Sequence, residues 1–155
     1  MKLNIKYFDG ATPLKINKKG NWIDVYAAED VFIPVGVSHR IRLGFALELP
    51  EGYEAHLAPR SSTFDKWGII LANHVGVIDT SYCGDNDEWL FNAICLKPSS
   101  VNSNDKLITP QGTFIHKGDK IGQFRIMRSQ EPIEFNTVEH LENADRGGFG
   151  TTGSN

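Results

Sequence analysis

The sequence is poor in cysteine and has no long apolar run. Its 155 residues include only two cysteines, Cys83 and Cys95, which are too few for a disulfide framework and lack the spacing of metal ligands. We expect both to be reduced thiols in a cytoplasmic protein. No stretch approaches the roughly 20 apolar residues of a membrane span, and the first residues lack a signal-peptide core. The composition argues against a disulfide-stapled or membrane protein.

An excess of positive charge is also missing. The formal net charge is −3 and the pI is about 5.9, so no broad basic surface is available for the phosphate backbone of nucleic acid. A small anionic ligand held by a few local cations remains open. With 40% apolar and 23% charged residues, the chain has the composition of one soluble globular domain.

Helical periodicity is scarce, whereas a period of two recurs along the chain. In "RIRLGFALELP" every second residue from Ile41 to Leu49 is apolar, which predicts a strand with one buried face. "VYAAEDVFIPVGV" predicts two short strands, and "DKIGQFRIM" predicts another. "WLFNAICLK" is apolar on both faces and predicts a strand buried between sheets. Only "STFDKWGIILANH" indicates a helical turn, with Ser61 or Ser62 as its cap. Many short strands with turn signals predict an all-β barrel or a double-sheet jelly roll.

The last part of the chain loses the alternation and ends in "ADRGGFGTTGSN". Glycine-rich ends are usually flexible linkers, yet this one carries an arginine and an aromatic among its glycines. We therefore predict one β domain over residues 1–138 and a C-terminal arm over residues 139–155. The polar segment 97–117 is predicted to be a surface excursion, and it is also a candidate contact for a protein partner.

The stretch "APRSSTFDKWGI" places Arg60 beside the hydroxyls of Ser61 and Ser62 at the expected start of a helical turn. Hydroxyls, an arginine and free N–H groups together suit phosphate oxygens. The alternative is an ordinary helix cap beside a surface arginine.

The stretch "GVIDTSYCGDNDEW" places Asp79 where a short apolar strand ends. A carboxylate there can orient or deprotonate a water, although a turn aspartate that bonds its own backbone is the commoner role. Tyr82 is either a packing aromatic or a flat wall for a ring. The acidic residues that follow lack the spacing of a calcium loop and are interpreted as a solvated turn.

Two further polar residues interrupt apolar strand patterns. Asp24 lies in "WIDVYAAED", where a carboxylate is costly to bury unless it faces a site, a cation or a metal. Gln123 interrupts "GDKIGQFRI". Its amide can be either a satisfied hydrogen-bonding group of the core or a ligand contact.

Taken together and in order, these stretches resemble the five short motifs of the trimeric dUTPase family (deoxyuridine triphosphate nucleotidohydrolases). The resemblance runs from Asp24 to Gly153 and is closest to the variety found in some bacilli and their prophages. "PEGYEAH", "PRSST", "GVIDTSYCGDND", "QFRIM" and "DRGGFGTTG" carry it. In the third motif Ser81 stands where the family commonly has aspartate. The resemblance implies a jelly-roll or β-clip barrel with a flexible C-terminal arm.

The resemblance also implies a reaction. In the family, Mg²⁺ sits on the three phosphates of dUTP, and a water attacks the α-phosphorus to release dUMP and pyrophosphate. Asp24 would hold the metal through its waters, and Asp79 would orient the attacking water. Tyr82 would lie beneath the deoxyribose and leave no room for a 2′-hydroxyl, while the hairpin before it would read uracil with backbone groups. The residues implied to contact the nucleotide are Arg60, Ser61, Ser62, Asn73, Gly76, Val77, Ile78, Tyr82, Gln123, Arg146, Phe149, Gly150, Thr151 and Thr152.

The resemblance further implies a homotrimer with sites between subunits. The arm would close over a neighbouring subunit's nucleotide, where Phe149 would stack on the uracil. Arg146, Thr151 and Thr152 would take the γ-phosphate. Trp89 either supplements Phe149 or packs in the core.

Two alternatives stay open at this point. A dCTP deaminase of the same fold needs a glutamate in the strand after the third motif, where "WLFNAICL" offers Asn92. A non-catalytic homologue that binds a nucleotide or a protein partner would gain nothing from a water-orienting Asp79. Release of ammonia from dCTP would identify the first alternative, and absence of turnover with retained binding would identify the second.

Overall fold

The computed structural model describes residues 1–99 and 111–148. Short strands dominate this part of the chain, and the prediction of an all-β fold is confirmed. The elements, in chain order, are β1 (Asn4–Tyr7), β2 (Ile23–Tyr26), β3 (Val31–Pro34), β4 (Ser38–Arg42), β5 (Phe45–Glu48), β6 (Tyr53–Pro59), α1 (Thr63–Trp67), β7 (Ile69–Leu71), β8 (Gly76–Ile78), β9 (Leu90–Cys95), β10 (Gly112–Ile115) and β11 (Lys120–Arg128).

The strands form four small antiparallel sheets with a jelly-roll-like arrangement. The largest sheet has the strand order β2-β11-β6-β8, and the next has the order β4-β9-β7. The pairs β1-β5 and β10-β3 complete the set. Neighbours in these sheets are far apart in sequence, so each sheet depends on long-range pairing rather than on local hairpins.

An aromatic cluster lies at the centre of the core. The rings of Phe45 and Trp89 have centroids 5.0 Å apart, and Trp89 meets Phe124 edge-on, also at 5.0 Å. All three side chains are essentially fully buried. Tilted and edge-on pairs at this separation are the favoured geometry for aromatic rings.

The alternating apolar residues of "RIRLGFALELP" all lie in the core, as predicted, from Ile41 at 0% to Leu49 at 4% exposed. The stretch is nevertheless two strands, β4 and β5, rather than one. The break falls at Gly44, whose φ of +79° is rarely adopted by other residues. A Cβ at this position would lie 2.7 Å from the Cα of Ala11, so close packing also requires glycine.

The prediction that "WLFNAICLK" is buried on both faces is wrong for the described chain. Phe91, Ala93 and Cys95 face the core, whereas Leu90 is 37% and Leu96 is 48% exposed. No second sheet of the described residues covers the outer face of β9.

The predicted helical turn is α1. Ser62 occupies the N-cap position, but its side chain makes no capping hydrogen bond, and Gly68 ends the helix with a φ of 66°.

Both cysteines are free, Cys83 exposed and Cys95 buried, and burial raises the pKa of the Cys95 thiol. Over the described residues no helix has the length and apolar character of a membrane span.

Beyond β11 the described chain contains no further strand or helix, and residues 130–148 are exposed. Several large apolar side chains lie in this segment, including Phe135 at 91% and Leu141 at 79% exposed. The division into a domain over residues 1–138 and an arm over residues 139–155 stays a prediction.

Candidate active site

One group of predicted site residues meets at the edge of the largest sheet. Asp24 on β2 lies opposite Gln123 on β11, and Arg60 follows the end of β6. Asp24 Oδ1 is 2.9 Å from Arg60 Nε, and Asp24 Oδ2 is 3.0 Å from Lys120 Nζ. We call Asp24, Arg60, Lys120 and Gln123 the cation corner. The two cations offset the cost of placing a mostly buried carboxylate there.

A β-bulge brings Lys120 into this corner. The register of β11 against β2 shifts between Lys120 and Gly122, and Ile121 and Gly122 both face the interior. In a regular strand Lys120 would point to the opposite face from Gln123. The extra residue reverses the alternation, so both side chains face the corner.

Thr63 ties the turn after β6 to the same bulge. Its buried hydroxyl accepts a hydrogen bond from the Arg60 backbone N–H at 2.9 Å and donates to the carbonyl oxygen of Ile121 at 2.8 Å. The Arg60 carbonyl in turn accepts from the Thr63 N–H at 3.0 Å. Backbone hydrogen bonds at Arg60 and at Ile121, next to Lys120, therefore fix the position of Arg60 relative to Lys120.

The other predicted residues of this region have side chains that are at least partly exposed. Ser61 is exposed and Ser62 is partly exposed in the turn that starts with Arg60. Gln123 donates from Nε2 to the Pro59 carbonyl at 3.2 Å. The cation corner presents an amide and two cations, and the hydroxyls of Ser61 and Ser62 lie in the turn beside it. This set suits an anion with several oxygens.

A second group of predicted residues lines a pocket at β8, the strand at the opposite edge of the same sheet. Its volume is about 360 Å³, within the size range of small-ligand sites. We call it the β8 pocket. Its walls are formed by Leu57, Asn73, Gly76, Val77, Ile78, Asp79, Ser81, Tyr82, Trp89 and Leu90.

Asp79 lies on the wall of this pocket and is exposed. Its Oδ1 accepts hydrogen bonds from the Ser81 hydroxyl at 2.5 Å and from the Ser81 backbone N–H at 2.9 Å. The Ser81 hydroxyl is the largest cause, and its N–H the next, of a lowered pKa for the Asp79 carboxyl. Asp79 is therefore held in one orientation in its charged form.

Tyr82 also lines the β8 pocket and is 38% exposed. Its hydroxyl donates to the carbonyl oxygen of Glu88 at 3.0 Å, and its backbone N–H donates to the carbonyl of Asp79 at 3.3 Å. Burial is the main cause that raises the pKa of Tyr82, followed by the charges of Asp87 and Glu88. The hydroxyl thus stays a hydrogen-bond donor at neutral pH.

Trp89 belongs to the core. It is 1% exposed, and its ring packs against Phe45 and Phe124. Its indole Nε1 has no hydrogen-bond partner among the described residues. Of the two roles considered for Trp89, the structure supports packing beneath the β8 pocket.

The cation corner and the β8 pocket are separate in one chain. β2 and β8 lie at opposite edges of the four-stranded sheet, three strand spacings or about 14 Å apart. They are also offset along the strands, because Gln123, the partner of Asp24, pairs with Ala58, whereas Ile78 pairs with Ala55. One chain therefore does not bring Asp24 and Asp79 into a single pocket.

Sequence reasoning missed Lys120, Ser81, Leu57 and Leu90 as members of these two groups. Ser81 carried a usable signal, because a hydroxyl two residues after an aspartate commonly bonds its carboxylate in a turn. Because of the bulge, alternation with a period of two does not predict that Lys120 faces the cation corner. Leu57 and Leu90 follow ordinary strand patterns, so only the three-dimensional structure identifies them.

Some predicted residues are not part of either group. Arg146 is exposed in the last described segment. Phe149, Gly150, Thr151 and Thr152 lie outside the described residues. Within the described ranges there is no cluster of three or more His, Cys, Asp or Glu side chains able to hold a metal ion.

Comparison with known proteins decides the family. A family model for dUTPase matches residues 17–154, nearly the whole chain. The chain belongs to the dUTPase family. The family model thus spans both the cation corner and the β8 pocket.

Individual dUTPases support this assignment. The chain is 47% identical over 156 residues, 99% of each chain, to the SPbeta prophage-derived deoxyuridine 5'-triphosphate nucleotidohydrolase YosS of Bacillus subtilis. It is 33% identical, again over 99% of each chain, to the deoxyuridine 5'-triphosphate nucleotidohydrolase of Hydrogenobaculum. A solved dUTPase mutant from phage phi11 of S. aureus, described as coordinating a structural Mg(II) ion, is 25% identical with a TM-score of 0.73, covering 92% of this chain and 100% of that one.

A second solved structure shows the shared fold over the full length. The dUTPase of Staphylococcus bacteriophage 80alpha with dUPNHPP matches with a TM-score of 0.76 over 99% of both chains at 24% identity. The prediction of a dUTPase of the bacillus and prophage variety is confirmed.

Proposed function

We propose that this protein hydrolyses dUTP to dUMP and pyrophosphate, as a dUTP diphosphatase, at sites completed by neighbouring copies of the chain. The observation that carries the proposal is the β8 pocket, where a fixed carboxylate, Asp79, stands beside a cavity of about 360 Å³. Such an enzyme keeps uracil out of DNA and supplies dUMP for thymidylate synthesis. A cytoplasmic location fits this role.

The β8 pocket would hold the deoxyuridine part of the substrate. Gly76, Val77 and Ile78 offer backbone N–H and C=O groups of an edge strand, since β8 pairs on one side only, with β6. Asn73 lies in the turn before this strand. Backbone donors and acceptors that match uracil would face the wrong groups on cytosine, so they would distinguish the two bases. Tyr82 would lie against the deoxyribose and exclude a 2′-hydroxyl.

Asp79 would act on the attacking water. In its charged form the carboxylate accepts a hydrogen bond from the water and takes its proton as the oxygen attacks the α-phosphorus. The bond from the α-phosphorus to the bridging oxygen then breaks, and pyrophosphate leaves. Both hydrogen bonds from Ser81 go to Oδ1, so in this proposal the water would bind at Oδ2.

The cation corner of another copy would receive the phosphates. Arg60 and Lys120 are cations, and Ser61, Ser62 and Gln123 are neutral donors. Arrival of phosphate oxygens would draw Arg60 and Lys120 from Asp24, because a triphosphate carries more charge than one carboxylate. Arg146, Phe149, Gly150, Thr151 and Thr152 of the arm would then cover the nucleotide.

Asp24 fits the role of a magnesium ligand through water. Mg²⁺ is commonly bound by one or two carboxylates together with substrate phosphates, and it keeps several waters. Asp24 is a single carboxylate beside the cations proposed to bind phosphate, so it matches that donor set. Mg²⁺ at this position would not need a cage made only of protein ligands. Bound Mg²⁺ would neutralise phosphate charge and stabilise the leaving pyrophosphate.

The separation of the corner from the pocket supports a multi-subunit enzyme, and we propose a homotrimer. The exposed apolar side chains on the outer face of β9 and in residues 130–148 would be covered in such an assembly. Nucleic acid and membrane are not expected partners.

The proposal is tested by pyrophosphate release from dUTP, dCTP, dTTP and UTP with Mg²⁺. We expect dUTP alone to be turned over efficiently, and Asp79→Asn to lower kcat by about 10²- to 10⁴-fold, the range for loss of a general base, while binding of a non-hydrolysable dUTP analogue persists. Ammonia release from dCTP would identify a deaminase instead. Normal turnover by Asp79→Asn would remove Asp79 from its proposed role.

A further inference from the structure

The loop between Asp79 and Trp89 holds the Tyr82 ring in place through Glu88. The Tyr82 hydroxyl donates to the main-chain oxygen of Glu88 at 3.0 Å. The position of the ring therefore depends on where the backbone of Glu88 lies.

The Glu88 side chain fixes that backbone to the β4–β5 junction. Its Oε2 is 3.0 Å from Arg42 Nε, and its Oε1 accepts a hydrogen bond from the Gly44 N–H at 2.9 Å. The Glu88 side chain is 15% exposed and that of Arg42 is 38% exposed, so both contacts of Glu88 are partly buried. Charge-assisted hydrogen bonds of this kind are stronger than neutral ones.

Both partners of Glu88 are themselves held rigidly. Arg42 donates from Nη2 to the Asp9 carbonyl at 3.3 Å and from its backbone N–H to Glu29 Oε1 at 2.9 Å. Gly44 has a positive φ and no room for a Cβ. The Glu88 carboxylate is thus attached to a closely packed part of the body.

The rest of the loop is attached to the body at two places, Asp85 at its tip and Trp89 at its end. Lys6 Nζ donates to the Asp85 carbonyl at 2.7 Å, but Asp85 is exposed. Gly84 and Asp87 bond each other within the loop. Trp89, the next residue after Glu88, pairs by its backbone with Leu43 and Phe45. The partly buried anchor nearest to Tyr82 is therefore Glu88.

We propose that Glu88 is a positioning residue for Tyr82 and thereby sets the preference for deoxyribose over ribose. The proposal rests on the proposed function, because it assigns Tyr82 to the sugar. When the anchor is intact, the ring is fixed where a 2′-hydroxyl would clash. When the anchor is weakened, the ring moves and a ribonucleotide is admitted. Glu88 itself touches neither the substrate nor the reacting atoms.

The test compares four variants by the ratio of kcat/KM for dUTP to kcat/KM for UTP. Glu88→Gln keeps the shape and an acceptor for Gly44 but weakens the bond to Arg42. Tyr82→Phe removes the hydroxyl that binds Glu88. The double variant combines both. Glu54→Gln is the matched control, since it makes the same change at a partly buried glutamate that contacts His56.

We expect Glu88→Gln and Tyr82→Phe each to lower the ratio about tenfold, as for loss of one such hydrogen bond. The double variant should lose no more than either single variant, because both act on the same contact. Glu54→Gln should leave the ratio unchanged. Should Glu88→Gln fail to fold, Arg42→Lys weakens the same anchor while keeping the charge.

Equal loss of kcat/KM on dUTP and UTP by Glu88→Gln would overturn the proposal, since it would show a merely structural role. Additive losses in the double variant would also overturn it. A wild-type protein without preference for dUTP over UTP would refute the proposed function instead, so the two failures are distinguishable.

Discussion

The guanidinium of Arg60 and the carboxylate of Asp24 form an ion pair, with 2.9 Å between Nε and Oδ1. The pair joins the end of β6 to β2 across the intervening β11. Both side chains remain partly exposed, at 30% and 17%, so an incoming phosphate can reach the arginine. The pair therefore holds in place the guanidinium that we propose as a phosphate ligand.

Arg60→Met is expected to lower kcat/KM for dUTP by roughly 10- to 100-fold, because a hydrogen bond to a charged group contributes about 1.5–3 kcal/mol. Affinity for deoxyuridine, which has no phosphate, should be unchanged. Steady-state kinetics and calorimetric titration measure the two quantities. Arg128→Met, at the far end of β11, is the control. An equal loss of deoxyuridine binding would contradict a phosphate role for Arg60.

Ser81→Ala is expected to shift the acid limb of the pH profile of kcat/KM to higher pH. The Ser81 hydroxyl is the largest cause of the lowered pKa of Asp79, so its removal lets that pKa rise toward its ordinary value. The active carboxylate is then lost earlier as the pH falls. Ser81→Thr keeps a hydroxyl and should restore the wild-type profile. An unmoved acid limb in Ser81→Ala would show that Asp79 does not control it.

Thr63→Val is expected to destabilise the protein by about 1–3 kcal/mol, because the Arg60 N–H and the Ile121 carbonyl both lose a buried partner. The turn that carries Arg60 would also loosen, so KM for dUTP should rise. Chemical denaturation measures the first effect and steady-state kinetics the second. Thr63→Ser retains the hydroxyl and should rescue KM. Unchanged KM in a destabilised Thr63→Val would separate Thr63 from substrate binding.

Sequence patterns predicted the strands with clear alternation but not their interruptions. The segment 97–117, predicted to be a surface excursion, contains strand β10, whose Thr113 and Ile115 are fully buried. The burial of Ile41 and its alternating neighbours follows from period two alone. The break at Gly44 does not, because it depends on the close approach of Ala11 from another part of the chain. The outer face of β9 was likewise misjudged, since Leu90 is 37% exposed at the wall of the β8 pocket.

The candidate site was predictable residue by residue but not in its arrangement. Motif order identifies Asp24 and Asp79, yet only the strand order β2-β11-β6-β8 shows that they lie in different regions of one chain. Lys120 could not be found by alternation, because the bulge before Gly122 reverses it. Long-range pairing and bulges are tertiary features that local sequence does not encode.

The separation of Asp24 from Asp79 leads to a prediction about mixed assemblies. Asp24→Asn and Asp79→Asn should each be nearly inactive alone. Assemblies formed from equal amounts of both chains should recover up to about a quarter of the wild-type sites, since each of the two positions is native in half of the copies. Pyrophosphate release per active site after co-refolding measures the recovery. Mixing Asp24→Asn with Arg60→Met is the matched control: both residues belong to the cation corner of the same chain, so no intact corner can form and no activity should return. Recovery in the control, or its absence in the first mixture, would mean that the corner and the pocket do not act together across copies.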